Sequence, residues 1–212
     1  MMKKAAVLAL SVIAMGAQAA TITQSSALVL ATTEINQLFS VNLFDASMGT
    51  LNSVSISLTG RAVSSGSLVN TAAQEQDFLF ASNIRLRLQG TCIGNSDVNL
   101  SLFSFDNTIA RNGTVTLGPV DVNNTASFAG ALASFIGAGT ANFTCKSLVQ
   151  NTQAGGGGNI NATQATQAGC GIDVVYDYTV APPPAVPEPG SMALVGLALA
   201  GLGLTARRRA AK

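Results

Sequence analysis

Ser53-Val54-Ser55-Ile56-Ser57-Leu58-Thr59 alternates hydroxyl and apolar side chains without a break. A period of two puts Val54, Ile56 and Leu58 on one face of a β-strand and the hydroxyls on the other. The same pattern recurs along the chain. Ile84, Leu86 and Leu88 alternate with Arg85, Arg87 and Gln89; Val98, Leu100 and Leu102 with Asn99 and Ser101; Val115 and Leu117 with Thr114 and Thr116. Ile172, Val174, Tyr176, Tyr178 and Val180 share a face opposite Asp173 and Asp177. Each segment reads as a strand with one buried and one solvated face. Further strands are expected near Ser26–Leu30, Gln37–Leu43, Leu68–Asn70 and Ala141–Leu148, while Ala129–Ile136 fits a strand or a short helix. Turn residues separate these runs at Gly49, Gly60, Ser64-Ser65-Gly66, Gly94-Asn95, Asn112-Gly113, Gly118-Pro119 and Asn123-Asn124. Asn112-Gly113 is the sharpest, because a two-residue hairpin needs positive φ at both central positions. The pattern predicts an all-β domain, a β-sandwich of about eight to ten antiparallel strands. Asn151–Gly169, low in complexity and rich in Gln, Ala, Thr and Gly, reads as a loop. Pro182-Pro183-Pro184 reads as an extended stalk.

The two ends have a different character. Lys3 and Lys4 precede an apolar run from Ala5 to Ala14 broken only by Ser11, and Ala17-Gln18-Ala19 supplies a small-x-small cleavage site. This is the layout of a signal peptide, an N-terminal helix removed after Ala19. At the other end no charged side chain occurs from Met192 to Ala206, and Arg207, Arg208 and Arg209 follow. Fifteen apolar residues fall short of the roughly 20 that span a bilayer. Arginines that snorkel to the headgroups extend the effective span and hold that end on the cytoplasmic side. The tail is therefore expected to form an apolar, membrane-inserted helix. The implied organisation is a signal peptide over 1–19, an exported domain over 20–180, a stalk over 181–186 and a terminal segment over 187–212.

Val186-Pro187-Glu188-Pro189, followed by the apolar run and the arginine cluster, resembles the PEP-CTERM sorting signal of Gram-negative bacteria. The resemblance implies export through the Sec translocon, removal of the leader by signal peptidase and transient anchoring in the inner membrane. An exosortase would then process the chain near Pro187, Glu188 and Pro189, leaving it in the cell envelope, outside the cell or attached to exopolysaccharide. Those three residues would be read by another enzyme. A second resemblance lies in Phe44-Asp45-Ala46-Ser47-Met48-Gly49-Thr50-Leu51-Asn52-Ser53-Val54 and in Val174-Val175-Tyr176-Asp177-Tyr178-Thr179. These are similar to elements of the choice-of-anchor type E group of exported bacterial domains, although Ala46 stands where that group has proline. No activity comes with this likeness. Physically, Phe44 and Leu51 read as core residues, and Asp45, Ser47 and Gly49 as turn residues.

Setting both ends aside changes the charge. The whole chain carries +1, but Lys3, Lys4, Arg207, Arg208, Arg209 and Lys212 belong to the ends. The exported part keeps five cations against nine carboxylates, a net −4. No basic run marks it for nucleic acid. Histidine and tryptophan are both absent. Without histidine the commonest general base and transition-metal ligand are missing. Export permits a disulfide among Cys92, Cys145 and Cys170. Cys145–Cys170 is the preferred pairing, with Cys92–Cys145 as the alternative.

Asp97, Asp106 and Asp121 lie near asparagines, yet no calcium-loop signature connects them. Glu34, Glu75 and Asp77 supply carboxylates, but nothing in the sequence pairs two of them across a cleft. Gly155–Gly158 lacks the Lys-Ser/Thr that follows a phosphate-binding loop. Cys92 has no histidine to activate it. The expectation is a non-enzymatic protein without cofactor, catalytic or metal site, structural or adhesive in exopolysaccharide or biofilm. The alternative is a carbohydrate- or calcium-binding β-sandwich module.

Overall fold

In the computed structural model, which describes residues 18–182 and 196–199, the alternation at Ser53–Thr59 belongs to a single 22-residue strand. The strands in chain order are β1 (Ala19–Ser26), β2 (Ala31–Thr32), β3 (Asn36–Asn42), β4 (Gly49–Asn70), β5 (Gln76–Gly90), β6 (Ile93–Ile109), β7 (Thr114–Ala129), β8 (Thr140–Gly155) and β9 (Ile160–Val180). One sheet has the order β1-β9-β4-β7, with β2 also on β9; the other has the order β3-β8-β5-β6. Every strand pair is antiparallel.

The inward residues of the two sheets form one core. Val54, Ile56 and Leu58 of β4 and Ile172, Val174 and Tyr176 of β9 join Ile84, Leu86 and Leu88 of β5 and Val98 and Leu100 of β6. Full burial of side chains of this size stabilises by about 1.5–3 kcal/mol each. Gly60 also faces inward. A Cβ there would lie 2.5 Å from Leu86 Cδ1, so glycine lets the sheets approach at that point. Several ties cross the interface, a disulfide and a tyrosine hydrogen bond among them. Cys145 of β8 is disulfide-bonded to Cys170 of β9, both fully buried, with Cα atoms 6.5 Å apart. The Tyr176 hydroxyl donates to the Asn42 carbonyl of β3 at 2.8 Å.

Several expectations need correction. Gly60 and Ser64-Ser65-Gly66 do not end a strand; β4 passes through them, with a bulge between Ser64 and Gly66. Gly118-Pro119 and Asn123-Asn124 likewise lie inside β7. Asn151–Gly169 is not a loop. It supplies the end of β8 and the first half of β9, joined by a 3-10 turn at Gly156–Gly158 where successive glycines hold positive φ. Ala, Thr and Gln give little hydrophobic contrast, so these strands carry no alternating apolar pattern in the sequence. Ser26–Leu30 is mostly outside β1, and Leu132–Phe135 is a 3-10 turn. Gly94-Asn95 falls within β6, the hairpin turning instead at Thr91-Cys92. At the sharpest predicted turn Asn112 has φ of 51°, and the Gly113 N–H closes it onto the Ala110 carbonyl at 2.8 Å. The positive φ is confined to Asn112, so this is a four-residue turn over 110–113.

The expected N-terminal signal helix lies outside the described residues. Of the expected C-terminal apolar helix only 196–199 is described, as one helical turn. Among the described residues no helix is long and apolar enough to cross a membrane.

Candidate functional site

The strand register places a neutral polar network between the sheets. Ser64 of β4, Ser82 of β5 and Gln164 and Thr166 of β9 all point inward, where apolar side chains would continue the core. Gln164 Nε2 lies 2.9 Å from Ser82 Oγ, 3.0 Å from Thr166 Oγ1 and 3.1 Å from Ser64 Oγ. The Ser64 and Thr166 hydroxyls are 2.7 Å apart, and Ser64 also donates to the Ala165 carbonyl at 3.2 Å. Buried polar groups with partners avoid the cost of desolvation. Ser64, Gln164 and Thr166 form part of a groove of about 510 Å³, completed by Thr32, Thr33, Val63, Ser65, Pro119, Ala165 and Gln167. Since Ser64 and Thr166 are buried and bonded within the network, Thr32, Ser65 and Gln167 are the exposed polar side chains of the groove. Nothing lining it would take a proton from a serine, the requirement for a nucleophilic hydroxyl.

The outer face of the other sheet carries charge. Arg87 binds Asp97 with both nitrogens at 2.7 Å, Nε to Oδ1 and Nη2 to Oδ2. These hydrogen bonds hold the Asp97 carboxyl below the ordinary carboxylate range and raise the Arg87 guanidinium. Arg85 Nε stands 3.9 Å from Asp97 Oδ2. Lys146, Arg85 and Arg87 line a groove of about 290 Å³ with Gln89, Ser147 and Leu148. No single stretch of sequence signals this cluster, because β8 joins β5 only through the fold.

The other sequence-selected residues are dispersed. Asp45 accepts from the Ser47 N–H at 2.8 Å, a turn bond that lowers its pKa, while Phe44 is buried against Tyr176 and Tyr178. Asp121 is paired with Arg61 through bonds of 2.9 and 2.6 Å on the outer face of its sheet. Asp106 is exposed, as are Glu34, Glu75 and Asp77, and none of these four lines either groove. Cys92 is a free, half-buried thiol that donates to the Ser134 carbonyl at 3.2 Å. Among the described residues no three Asp, Glu or Cys side chains converge as metal ligands. Ala19 opens β1 opposite Thr179 of β9. Ala17, Pro187, Glu188, Pro189, Arg207, Arg208 and Arg209 lie outside the described residues.

The chain thus combines an all-β domain of two antiparallel sheets with a terminal segment of separate character. Residues 185–209 match the family model described as the PEP-CTERM protein-sorting motif. That motif implies export, transient membrane anchoring and sorting by an exosortase system, with an exosortase as the processing partner. The match includes the Pro-Glu-Pro tripeptide and the arginine cluster and does not reach the β-domain. No curated protein matches the chain. Among solved structures, that of infectious bursal disease virus Gx strain is 12% identical with a TM-score of 0.20, covering 86% of this chain and 48% of the viral one. The Gt strain structure is 10% identical with a TM-score of 0.18, covering 87% and 49%. The VP2 subviral particle of the same virus is 12% identical with a TM-score of 0.15, covering 84% and 48%. The chain spans about half the length of these viral chains, and likeness at this level is too slight to assign a shared fold.

Proposed function

We propose that this chain is a non-enzymatic structural or adhesive protein of the cell envelope or extracellular matrix, acting in exopolysaccharide or biofilm. The observation that carries the reading is the sorting motif at 185–209. In this reading 1–19 is a signal peptide cut after Ala19, and 20–180 is the exported domain, kin to the choice-of-anchor type E group. Residues 181–186 are the stalk, and 187–212 the segment that an exosortase processes and that inserts transiently as a transmembrane helix. The fold is compatible with cutting at both ends. Ala19 and Thr179 are partners at the start of β1 and the end of β9, so the domain presents its two termini side by side. Loss of the leader would leave Ala20, the partner of Tyr178, as the first residue of β1.

Intact-mass measurement of the protein from its own host, with and without the exosortase, tests the sorting step. The expected mature chain ends near Pro187–Pro189 only where the enzyme is present. A C-terminus at Lys212 in both strains refutes it. The carbohydrate-binding alternative draws on the groove whose exposed polar residues are Thr32, Ser65 and Gln167. Calcium binding has less support, since Asp97 and Asp121 are each committed to an arginine.

A further inference from the structure

Three of the β-domain's five cations, Arg85, Arg87 and Lys146, share one outer sheet face in a domain of net charge −4. Arg87 of β5 and Lys146 of β8 stand directly opposite one another in the register. Like charges in that position destabilise a sheet. Asp97 offsets only part of this, because both its oxygens are bonded to Arg87. Arg85 Nε is buried without a hydrogen-bond partner, and its nearest carboxylate oxygen is 3.9 Å away. Lys146 is exposed and has no carboxylate within 4.0 Å among the described residues. Glu34, just before β3 at the rim of the face, makes no ion pair with it. The cluster therefore holds a net +2 that the fold leaves unneutralised.

We propose that this face binds a carboxylated polysaccharide, with Arg85 and Lys146 taking the carboxylates. Asn99, exposed opposite Arg85 on β6, and Gln89 on β5, whose Nε2 also donates to Asn95 Oδ1 at 3.0 Å, would offer amides to the sugar hydroxyls. The site follows from the charge arrangement, and it rests on the matrix reading only for where such a polymer is met. Nucleic acid is the poorer occupant. Single strands bind through stacking aromatics and duplexes through more cations, whereas the residues lining this groove include no aromatic ring.

The test titrates the mature protein, purified from its host, with polygalacturonate, dextran and duplex DNA. Saturable polygalacturonate binding is expected, weakening as salt shortens the Debye length from about 10 Å to about 3 Å. Lys146→Gln should weaken it about threefold and Arg85→Gln/Lys146→Gln about tenfold, the scale of one and two exposed charge contacts. Arg61→Gln, an equal charge change on the opposite sheet, should leave it within about twofold by the same scale. Melting temperatures of all variants report whether they fold, and the exposed Lys146→Gln keeps the test open if the double variant does not. Equal binding of dextran, stronger binding of DNA, or an Arg61→Gln loss matching that of Lys146→Gln overturns the proposal. Intact mass of the same preparations reports sorting separately, so either reading can fail alone.

Discussion

Replacing Cys145 and Cys170 together by alanine removes the covalent tie between the sheets. The bridge has a sequence separation of 25. In the chain-entropy description a loop of that length restrains the unfolded chain by about 3.5 kcal/mol at 25 °C. The native contacts on either side stay in place, since the β8 end of the loop pairs with β5 and its β9 end with β4. The effect is therefore exerted mainly through the unfolded state. Both sulfurs are fully buried, and the space they leave adds roughly 1 kcal/mol. The expected loss is about 4–5 kcal/mol, a large share of the roughly 5–15 kcal/mol that holds a domain together. At about 2–4 °C per kcal/mol for a domain of this size, the melting temperature should fall by roughly 8–20 °C. Guanidinium unfolding of both forms measures the difference, and a non-reducing peptide map establishes the linkage. Cys92→Ser should cost less than about 1 kcal/mol, because that thiol is outside the bridge. A double variant within about 1 kcal/mol of the parent, or a map joining Cys92 to either partner, refutes the reasoning.

The buried network gives a second test: Gln164→Leu leaves Ser82 Oγ without its partner and should cost about 1–3 kcal/mol. Adding Ser82→Ala should recover part of that loss, and strictly additive free energies in the cycle would show that the two side chains do not interact. Tyr176→Phe removes the bond to the Asn42 carbonyl and should cost about 1 kcal/mol. Burial pushes the Tyr176 hydroxyl up to about 12, so its contribution is complete below the ordinary value near 10 and is lost between about 10 and 12. Stability measured across that range should fall less steeply in the phenylalanine variant than in the parent. On the acid side, Asp97 and Asp121 are held below the ordinary value near 3.9 by Arg87 and Arg61. Their contribution is present above that value and disappears as pH falls through the lowered folded one. Asp97→Asn should flatten the decline in urea midpoint between about pH 5 and 2, and an unchanged slope would count against the pairing.

The alternation at Ser53–Thr59 was legible because apolar and hydroxyl side chains contrast strongly, and the inward set Val54, Ile56, Leu58 lies in the core. Turn residues misled where they serve packing. Gly60 makes room for Leu86, and Gly66 sits at a bulge that keeps β4 continuous. At 160–168 the inward positions Gln164 and Thr166 are polar, so periodicity carried little hydrophobic signal while hydrogen bonding set the structure. The sorting segment was readable because a linear motif is presented as sequence to the enzyme that reads it. The charged face was not, since Arg87 and Lys146 become neighbours only when β5 and β8 pair. Its one local trace is Arg85 and Arg87 on the polar face of a strand in a cation-poor domain.

The distribution of charge separates what holds the domain together from what it shows to its surroundings. Its core ties are a disulfide, a tyrosine hydroxyl on a carbonyl and an amide–hydroxyl network, none of which titrates between about pH 5 and 9. Ion pairs account for little of this, because Arg61–Asp121 and Arg87–Asp97 are on solvated faces where such pairs contribute about 0–1 kcal/mol. Salt at neutral pH should therefore hardly change the unfolding midpoint. The cluster of Arg85, Arg87 and Lys146 is open to screening, so the same salt should weaken its hold on a polyanion. A domain built in this way should keep its fold as ionic strength changes, while the proposed binding of a polyanion by this face should respond to it.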